Sequence, residues 1–527
     1  MQRVKTRVNP NDFDQLSRLA RRAWAQHDWS GFHSLVELLC RFHANQAESL
    51  FLAGLDFKLQ GMKSEAKEAF TKTLVMDPTR YDAAIELADL ESVSRNPELA
   101  FELLEKYVPM LHNSPMYADM AGTCYVNIGL PEKAVPLHQI AYQLQPDVDI
   151  FTGNLAASLG FVGDIEQAEA LYKKLLARNP KHQRNHYHLA RLRKAESDEH
   201  LREMTQALTG DDRRDIFLLN ALGKESEDIG HFDSAFEYYQ RAADAVYEQT
   251  QHDVNFDIDI LLHQKNRLAD LSSLARQAPK AAEAIPIFIV GLPRTGSTLL
   301  EQMLARHESI ETLGETDFID AALREVAKVD SGVQRLSKEL LEAYDDAPDP
   351  QAIREYYLRK VGYRLTDKPF FIDKMPYNFL LVDKILAAFP EAVIIHTLRD
   401  PIDTCFSMYK QIFTNAYPYS YSLGDLKKYY VEYADYADKL SRNAPRNYTQ
   451  VRYEDLVSNT RFVLESLLSQ LSLTYTEKLL MQDAKSSISM TASAGQIRQG
   501  ISSDYKQNWR NFERHLSVLA DLANLHG

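Results

Sequence analysis

Cysteine is nearly absent: Cys40, Cys124 and Cys405 are the only three in 527 residues. An odd number of widely spaced thiols makes neither a disulfide framework nor a zinc site. Glycine and proline are also scarce, 20 of each, which excludes collagen-like and low-complexity chains and favours long helices over an all-β fold. No apolar run reaches the roughly 18 residues that a bilayer span needs. The opening MQRVKTRVNPND has no apolar signal region. Positive charge is in deficit, with 60 Lys and Arg against 74 Asp and Glu for a net charge of −14. A sequence-independent grip on nucleic acid needs the opposite balance. These absences predict a soluble protein of a reducing compartment, cytoplasmic by default, without a membrane span and with length for about two to four domains.

What is present in the first half is a repeat. Ala66, Ala100, Ala134 and Ala168 recur every 34 residues, as do Gly54, Ala88, Gly122 and Ala156. Larger residues (Phe57, Tyr125, Leu159) and Pro78, Pro146 and Pro180 follow the same period. Small residues suit the crossing of two antiparallel helices, large ones fill the gap beside it, and proline ends the second helix. The pattern resembles the tetratricopeptide repeat (TPR). Phe13 to Gln46 fits as a unit although Phe32 stands where a small residue belongs; 182–215 is degenerate; a good copy returns at Ile216–Gln249. About seven hairpins are predicted, stacked into a superhelix whose concave groove suits an extended peptide or protein segment. The alternative role is dimerisation or support of the second domain, and a homodimer fits either.

The rest of the chain is organised around Ile285–Leu304. An apolar strand runs straight into Gly291-Leu-Pro-Arg-Thr-Gly-Ser-Thr298 and then into an amphipathic helix. Strand, glycine turn and helix form an anion-binding loop, with the N–H groups of 295–298 and the helix dipole facing the ligand. A Walker loop would carry lysine after the second glycine; here Ser297 stands there and the strong cation is Arg294. The run P-R-T-G-S-T resembles the 5′-phosphosulfate loop of sulfotransferases, which use 3′-phosphoadenosine 5′-phosphosulfate (PAPS).

That resemblance extends downstream. It implies cofactor contacts at Arg294, Thr295, Gly296, Ser297 and Thr298. Similarity to the tyrosylprotein sulfotransferases implies that Glu315, in the Gly-Glu segment after the loop, is the catalytic base. Asp317 is the reserve, a helix cap is the competing role of Glu315, and His307 is a weaker candidate. Lys374, in the K-x-P context after Phe370-Phe-Ile-Asp, is implied to contact the leaving phosphosulfate. Arg399-Asp-Pro401 with Ser407 eight residues on resembles the 3′-phosphate motif. Val451–Val457 looks like the family's strand whose tyrosine, Tyr453, borders the nucleotide. Arg498–Trp509 resembles the closing segment, with Lys506 its implied ligand. Acceptor residues are sought in 319–368, and the tyrosine-rich run Tyr417–Tyr436 is read as helix packing.

The predicted architecture is therefore an all-α TPR superhelix (1–249), a linker helix (250–284), and an α/β P-loop-like sulfotransferase domain with a central parallel sheet (285–527). The resemblance implies transfer of a sulfuryl group from PAPS to an acceptor hydroxyl without a metal, first of all a peptide or protein tyrosine. Small-molecule, glycan or lipid hydroxyls, a P-loop kinase and a non-catalytic TPR scaffold are the alternatives.

Overall fold

The computed structural model describes residues 9–94, 96–268, 271, 284–329, 336–413, 416–481 and 507–525. It separates into two compact units, Met1–Ser158 and Leu159–Gly527.

Seven helical hairpins occupy the first half of the chain: α1 (Phe13–Ala25) with α2 (Trp29–Phe42), α3 (Ala47–Leu59) with α4 (Lys63–Met76), α5 (Tyr81–Ser92) with α6 (Pro97–Tyr107), α7 (Pro115–Asn127) with α8 (Pro131–Leu144), α9 (Asp149–Phe161) with α10 (Ile165–Arg178), α11 (Gln183–Leu192) with α12 (Glu199–Ala207), and α13 (Asp212–Asp228) with α14 (Phe232–Thr250). The small residues are where close crossing demands them. A Cβ on Gly54 would lie 2.5 Å from the Phe70 ring, on Gly122 2.5 Å from His138, and on Gly223 2.7 Å from Tyr239. In each pair the ring is sixteen residues on, so one geometry repeats. Ala66, Ala100, Ala134 and Ala168 are all fully buried. Phe32 takes the atypical place in the first hairpin without loss: it is buried, with its ring 5.1 Å from that of Trp24. The degenerate stretch still forms a hairpin, shortened to helices of ten and nine residues. Helix α15 (Asn255–Arg267) follows.

The second unit contains a five-stranded sheet, β1 (Ile285–Gly291), β2 (Ile310–Thr312), β3 (Phe370–Asp373), β4 (Val393–Leu398) and β5 (Tyr448–Arg452), in the order β2-β3-β1-β4-β5. Every pairing is parallel. A parallel sheet is covered on both faces, which explains its uninterrupted apolar strands. Phe288, Val290, Phe371 and Ile394 enter one core, and the alternating Ile287, Ile289, Ile372 and Ile395 enter the other. Connecting helices are α16 (Ser297–Leu304), α17 (Phe318–Ala327), α18 (Lys338–Asp346), α19 (Pro350–Val361), α20 (Val382–Ala388), α21 (Pro401–Tyr409), α22 (Leu423–Asn443), α23 (Tyr453–Ser458) and α24 (Thr460–Gln470). From β1 the chain goes to β2 and β3 on one side, then to β4 on the other. That reversal puts the crevice of an open α/β sheet at the carboxyl end of β1.

Helices α10–α14 of the array share this unit with the sheet. Phe236 and Tyr239 of α14 belong to the same core as Phe406 and Tyr409 of α21 and Phe512 near the C-terminus. The expected domain limit lies near 250–284, while the compact limit falls inside the repeats, within α9.

Candidate active site

Three adjacent strands, β3, β1 and β4, end at one edge, and each leads into one of the motifs. At β1 the fit is tight: a Cβ on Gly291 would be 2.5 Å from the carbonyl oxygen of Thr397. Gly296, at φ 92°, precedes α16 as a side-chain-free N-cap, and a Cβ there would be 2.6 Å from the Tyr453 ring. A helix start of this kind presents backbone N–H groups that suit an anion. The Thr295 hydroxyl donates to Leu292 O (2.7 Å) and sits 2.8 Å from Thr397 Oγ1, so its side chain serves the loop and its backbone N–H remains for a ligand. Ser297 and Thr298 are buried in the first turn.

Arg294 adopts a left-handed conformation at φ 71°, a costly one for a non-glycine residue. Burial, then the neighbouring cations Arg399 and Arg191, lower its pKa to about 10, and it stays a cation at neutral pH. Arg399, at the end of β4, donates from Nη1 to Arg294 O at 3.1 Å, lies 3.6 Å from Asp403, and rests 4.7 Å from the Tyr453 ring centroid. Asp403 and Ser407 follow at steps of four on α21, on the same face.

Beyond β3, Lys374 N donates to Gly314 O at 2.9 Å and Leu313 N to Ile372 O at 2.8 Å, so the strand end and the 313–315 segment run together. Glu315 is thereby brought onto the Lys374 ammonium, which it hydrogen-bonds. Lys374 is fully buried, whereas the Glu315 side chain is 46% exposed, accessible to an incoming acceptor. Glu315 is not a cap, because Asp317 is the N-cap residue of α17. His307 is committed elsewhere: Nδ1 accepts from Ser309 N and Nε2 lies 3.2 Å from Thr474 O.

Tyr453 departs from the expected strand. β5 stops at Arg452, and Tyr453-Glu454-Asp455 opens α23. Acidic residues favour a helix first turn, and Glu454 is held by Asp400 N at 2.9 Å. Tyr453 still borders the loop, from a helix. The tyrosine run is packing, as read: Tyr419, Tyr429, Tyr433 and Tyr436 are buried, with Tyr433 OH 2.7 Å from His396 Nε2. Lys506 lies outside the described residues. Gln507 N and Trp509 N, just beyond it, donate to Asp403 at 2.7 and 3.1 Å, which brings the C-terminal segment to the residue beside Arg399.

Residues 286–477 match the model of the sulfotransferase family. The matched stretch takes in the Gly291–Thr298 loop, Lys374 and Arg399. An uncharacterized protein of Aquifex aeolicus (strain VF5) is 25% identical over 320 residues, 58% of this chain and 40% of its own length. A "Putative protein-tyrosine sulfotransferase" of Caenorhabditis briggsae is 24% identical over 197 residues, 37% of this chain and 68% of its own. The sulfotransferase domain of the Synechococcus PCC 7002 olefin synthase covers 47% of this chain and 96% of its own, at 21% identity and a TM-score of 0.33.

The same region also holds charged groups that motif reading passed over. Glu301, one turn into α16, is buried, accepts from Thr312 Oγ1 at 2.5 Å, and lies 3.7 Å from Lys374. A carboxylate within the apolar run Leu-Leu-Glu-Gln-Met-Leu was its only signal. Asp373, fully buried, accepts from Thr316 Oγ1 (2.6 Å) and Tyr357 OH (2.8 Å), and burial raises its pKa to about 7. Asp403 is the third, and its spacing of four from both Arg399 and Ser407 marked it.

Proposed function

We propose that this chain is a PAPS-dependent sulfotransferase acting on an acceptor hydroxyl, with a peptide or protein tyrosine as the favoured acceptor. The observation that carries the reading is the convergence at one edge, on strands β3, β1 and β4, of Lys374 with Glu315, the Arg294 loop, and Arg399. The donor set suits a nucleotide with two separate anionic groups: amides of 295–298 and Arg294 for the 5′ side, Arg399 and Ser407 for the 3′-phosphate, Tyr453 between them. Bound PAPS supplies the sulfuryl group, its bond to the phosphate oxygen breaking as the acceptor oxygen bonds to sulfur.

Glu315 takes the acceptor proton on a carboxylate oxygen, as a general base must. Lys374 and the loop amides offset the charge that collects on the departing phosphate. The Glu315–Lys374 ion pair keeps the base and the ammonium side by side next to the loop. A peptide acceptor is favoured by the helical array. Phe42, Met76, Met110 and Leu144, at intervals of 34, are 43–47% exposed, at the ends of α2, α4 and α8 and of the 3-10 turn that follows α6. Such a recurring apolar row suits an extended segment.

The test is thermal melting with ligands. Adenosine 3′,5′-bisphosphate should raise the Tm, ATP much less, and Mg²⁺ should change neither. Stabilisation by Mg²⁺–ATP alone would favour a kinase.

A further inference from the structure

Lys374 is fully buried, and two carboxylates reach it from different elements: Glu315 from the β2–α17 segment, and Glu301 from α16, at 3.7 Å. Glu301 is itself buried. A buried carboxylate is costly unless it is paired, and a glutamine or leucine would fill the same space on α16 at less cost. What the carboxylate adds is charge. The Thr312 hydroxyl holds Glu301 Oε1, and Gly314 N in turn donates to Thr312 Oγ1 at 3.1 Å, so the group is fixed by the same segment that carries Glu315.

We propose that Glu301 is a positioning residue that keeps Lys374 protonated and in place once Glu315 has taken the acceptor proton. The inference rests on the reading of Glu315 and Lys374 given above. The proton that leaves the acceptor hydroxyl ends on Glu315, which becomes neutral. Lys374 then loses one anionic partner at the moment its positive charge is needed at the leaving oxygen. A fully buried lysine left without a carboxylate releases its proton readily. Glu301, buried on α16 where Glu315 is exposed, is not consumed in the step and remains the counter-charge. The other charged or titratable groups in this setting are Arg364, which acts on Glu301 and Asp373, Asp373 next to Lys374, and Tyr417, which faces Glu315. Burial raises the Glu301 pKa, opposed by Lys374 and Thr312, so the carboxylate depends on the ammonium as the ammonium depends on it.

The experiment is NMR of ¹³Cε-lysine in ligand-free protein, following Lys374 with pH in the wild type, Glu315→Gln, Glu301→Gln and the double variant. Glu315→Gln stands for the state after proton transfer. Lys374 should remain an ammonium at pH 8 in each single variant. In the double variant it should be largely neutral there, its proton affinity lower by at least tenfold. Neutral Lys374 at pH 8 in Glu315→Gln alone overturns the proposal whether or not the double variant folds. A double variant that matches Glu315→Gln overturns it as well. A merely structural Glu301 would change the Tm and leave the Lys374 titration where it was. Calorimetric binding of adenosine 3′,5′-bisphosphate to the wild type is measured beside it. Failure to bind sinks the sulfotransferase reading, whereas binding with an unmoved Lys374 titration sinks only the role of Glu301.

Discussion

Arg399 Nη1 donates a hydrogen bond to the main-chain oxygen of Arg294 at 3.1 Å. The two residues are 105 apart in the chain, and the bond makes the expected 5′ and 3′ sites one mechanical unit. Arg399, the proposed cation for the 3′-phosphate, is thus also a prop for a loop whose Arg294 is held at φ 71°. Asp403 and the Tyr453 ring fix the guanidinium in turn.

Arg399→Ala should therefore weaken adenosine 3′,5′-bisphosphate by about 1.5–3 kcal/mol, the cost of a lost charged hydrogen-bond partner. Adenosine 5′-phosphate should lose less, because only the propping of the loop is removed. Calorimetry with the two nucleotides separates these effects, and equal losses would make Arg399 purely structural.

Glu315→Gln preserves shape and should keep bisphosphate affinity within a few-fold. Turnover should fall by roughly 10²–10⁴, the usual range for a general base. Steady-state kcat with PAPS and a tyrosine peptide measures it. Near-normal kcat would remove Glu315 as base and direct attention to Asp317, the N-cap of α17.

Much of this was legible because it is local. The Gly291–Thr298 loop and Arg399-Asp-Pro401 are contiguous runs whose residue types answer to turn geometry and strand ends. The 34-residue period fixes small residues against rings sixteen positions on, as in Gly54–Phe70. What escaped depends on contacts distant in sequence. Nothing near Glu227 announces that Lys410 will lie 2.7 Å from it, or that Asn508 will donate to it at 2.7 Å. Lys374 is assigned through the resemblance alone, and only the fold shows it enclosed between Glu301 and Glu315. Tyr453 is placed on a strand by the resemblance, while the acidic first turn of α23 decides otherwise.

Asp373 should give stability a pH dependence. Its pKa is raised by burial to about 7 from an ordinary 3.8, so the native state favours the protonated acid. The contribution is fully present below the ordinary carboxylate pKa and is lost as pH rises towards and through about 7. The loss runs at up to about 1.4 kcal/mol per pH unit within that window. Asn at 373 can accept the same bonds from Thr316 and Tyr357 without a charge. Asp373→Asn should flatten this part of the stability profile and be the more stable protein at pH 8. Urea unfolding at pH 5, 6, 7 and 8 checks it, and parallel profiles for the two proteins would refute it.

Truncation distinguishes the repeats that serve the catalytic unit from those that do not. Phe236 of α14 lies 6.4 Å from Phe406, 6.3 Å from Tyr409 and 4.4 Å from His515, ring to ring. Asn220 Nδ2 donates to Lys410 O at 2.8 Å, and Glu227 pairs with Lys410 at the end of the helix that carries Ser407. A cut at residue 250 removes all of these. Losing even one buried phenylalanine costs about 3–5 kcal/mol, against a total stability of roughly 5–15 kcal/mol. Residues 250–527 should therefore fail to fold, with no near-ultraviolet dichroism and no bisphosphate binding. A fragment from residue 146 keeps α9 whole together with everything in the second compact unit. It should unfold in one cooperative transition and bind the bisphosphate like the full chain. If α1–α8 recruit the acceptor, this fragment should sulfate a small phenol at the full-length rate while showing a raised KM for a long tyrosine peptide. An unchanged peptide KM would assign those hairpins to another partner, and a folded, bisphosphate-binding 250–527 would show that α13 and α14 are dispensable to the site.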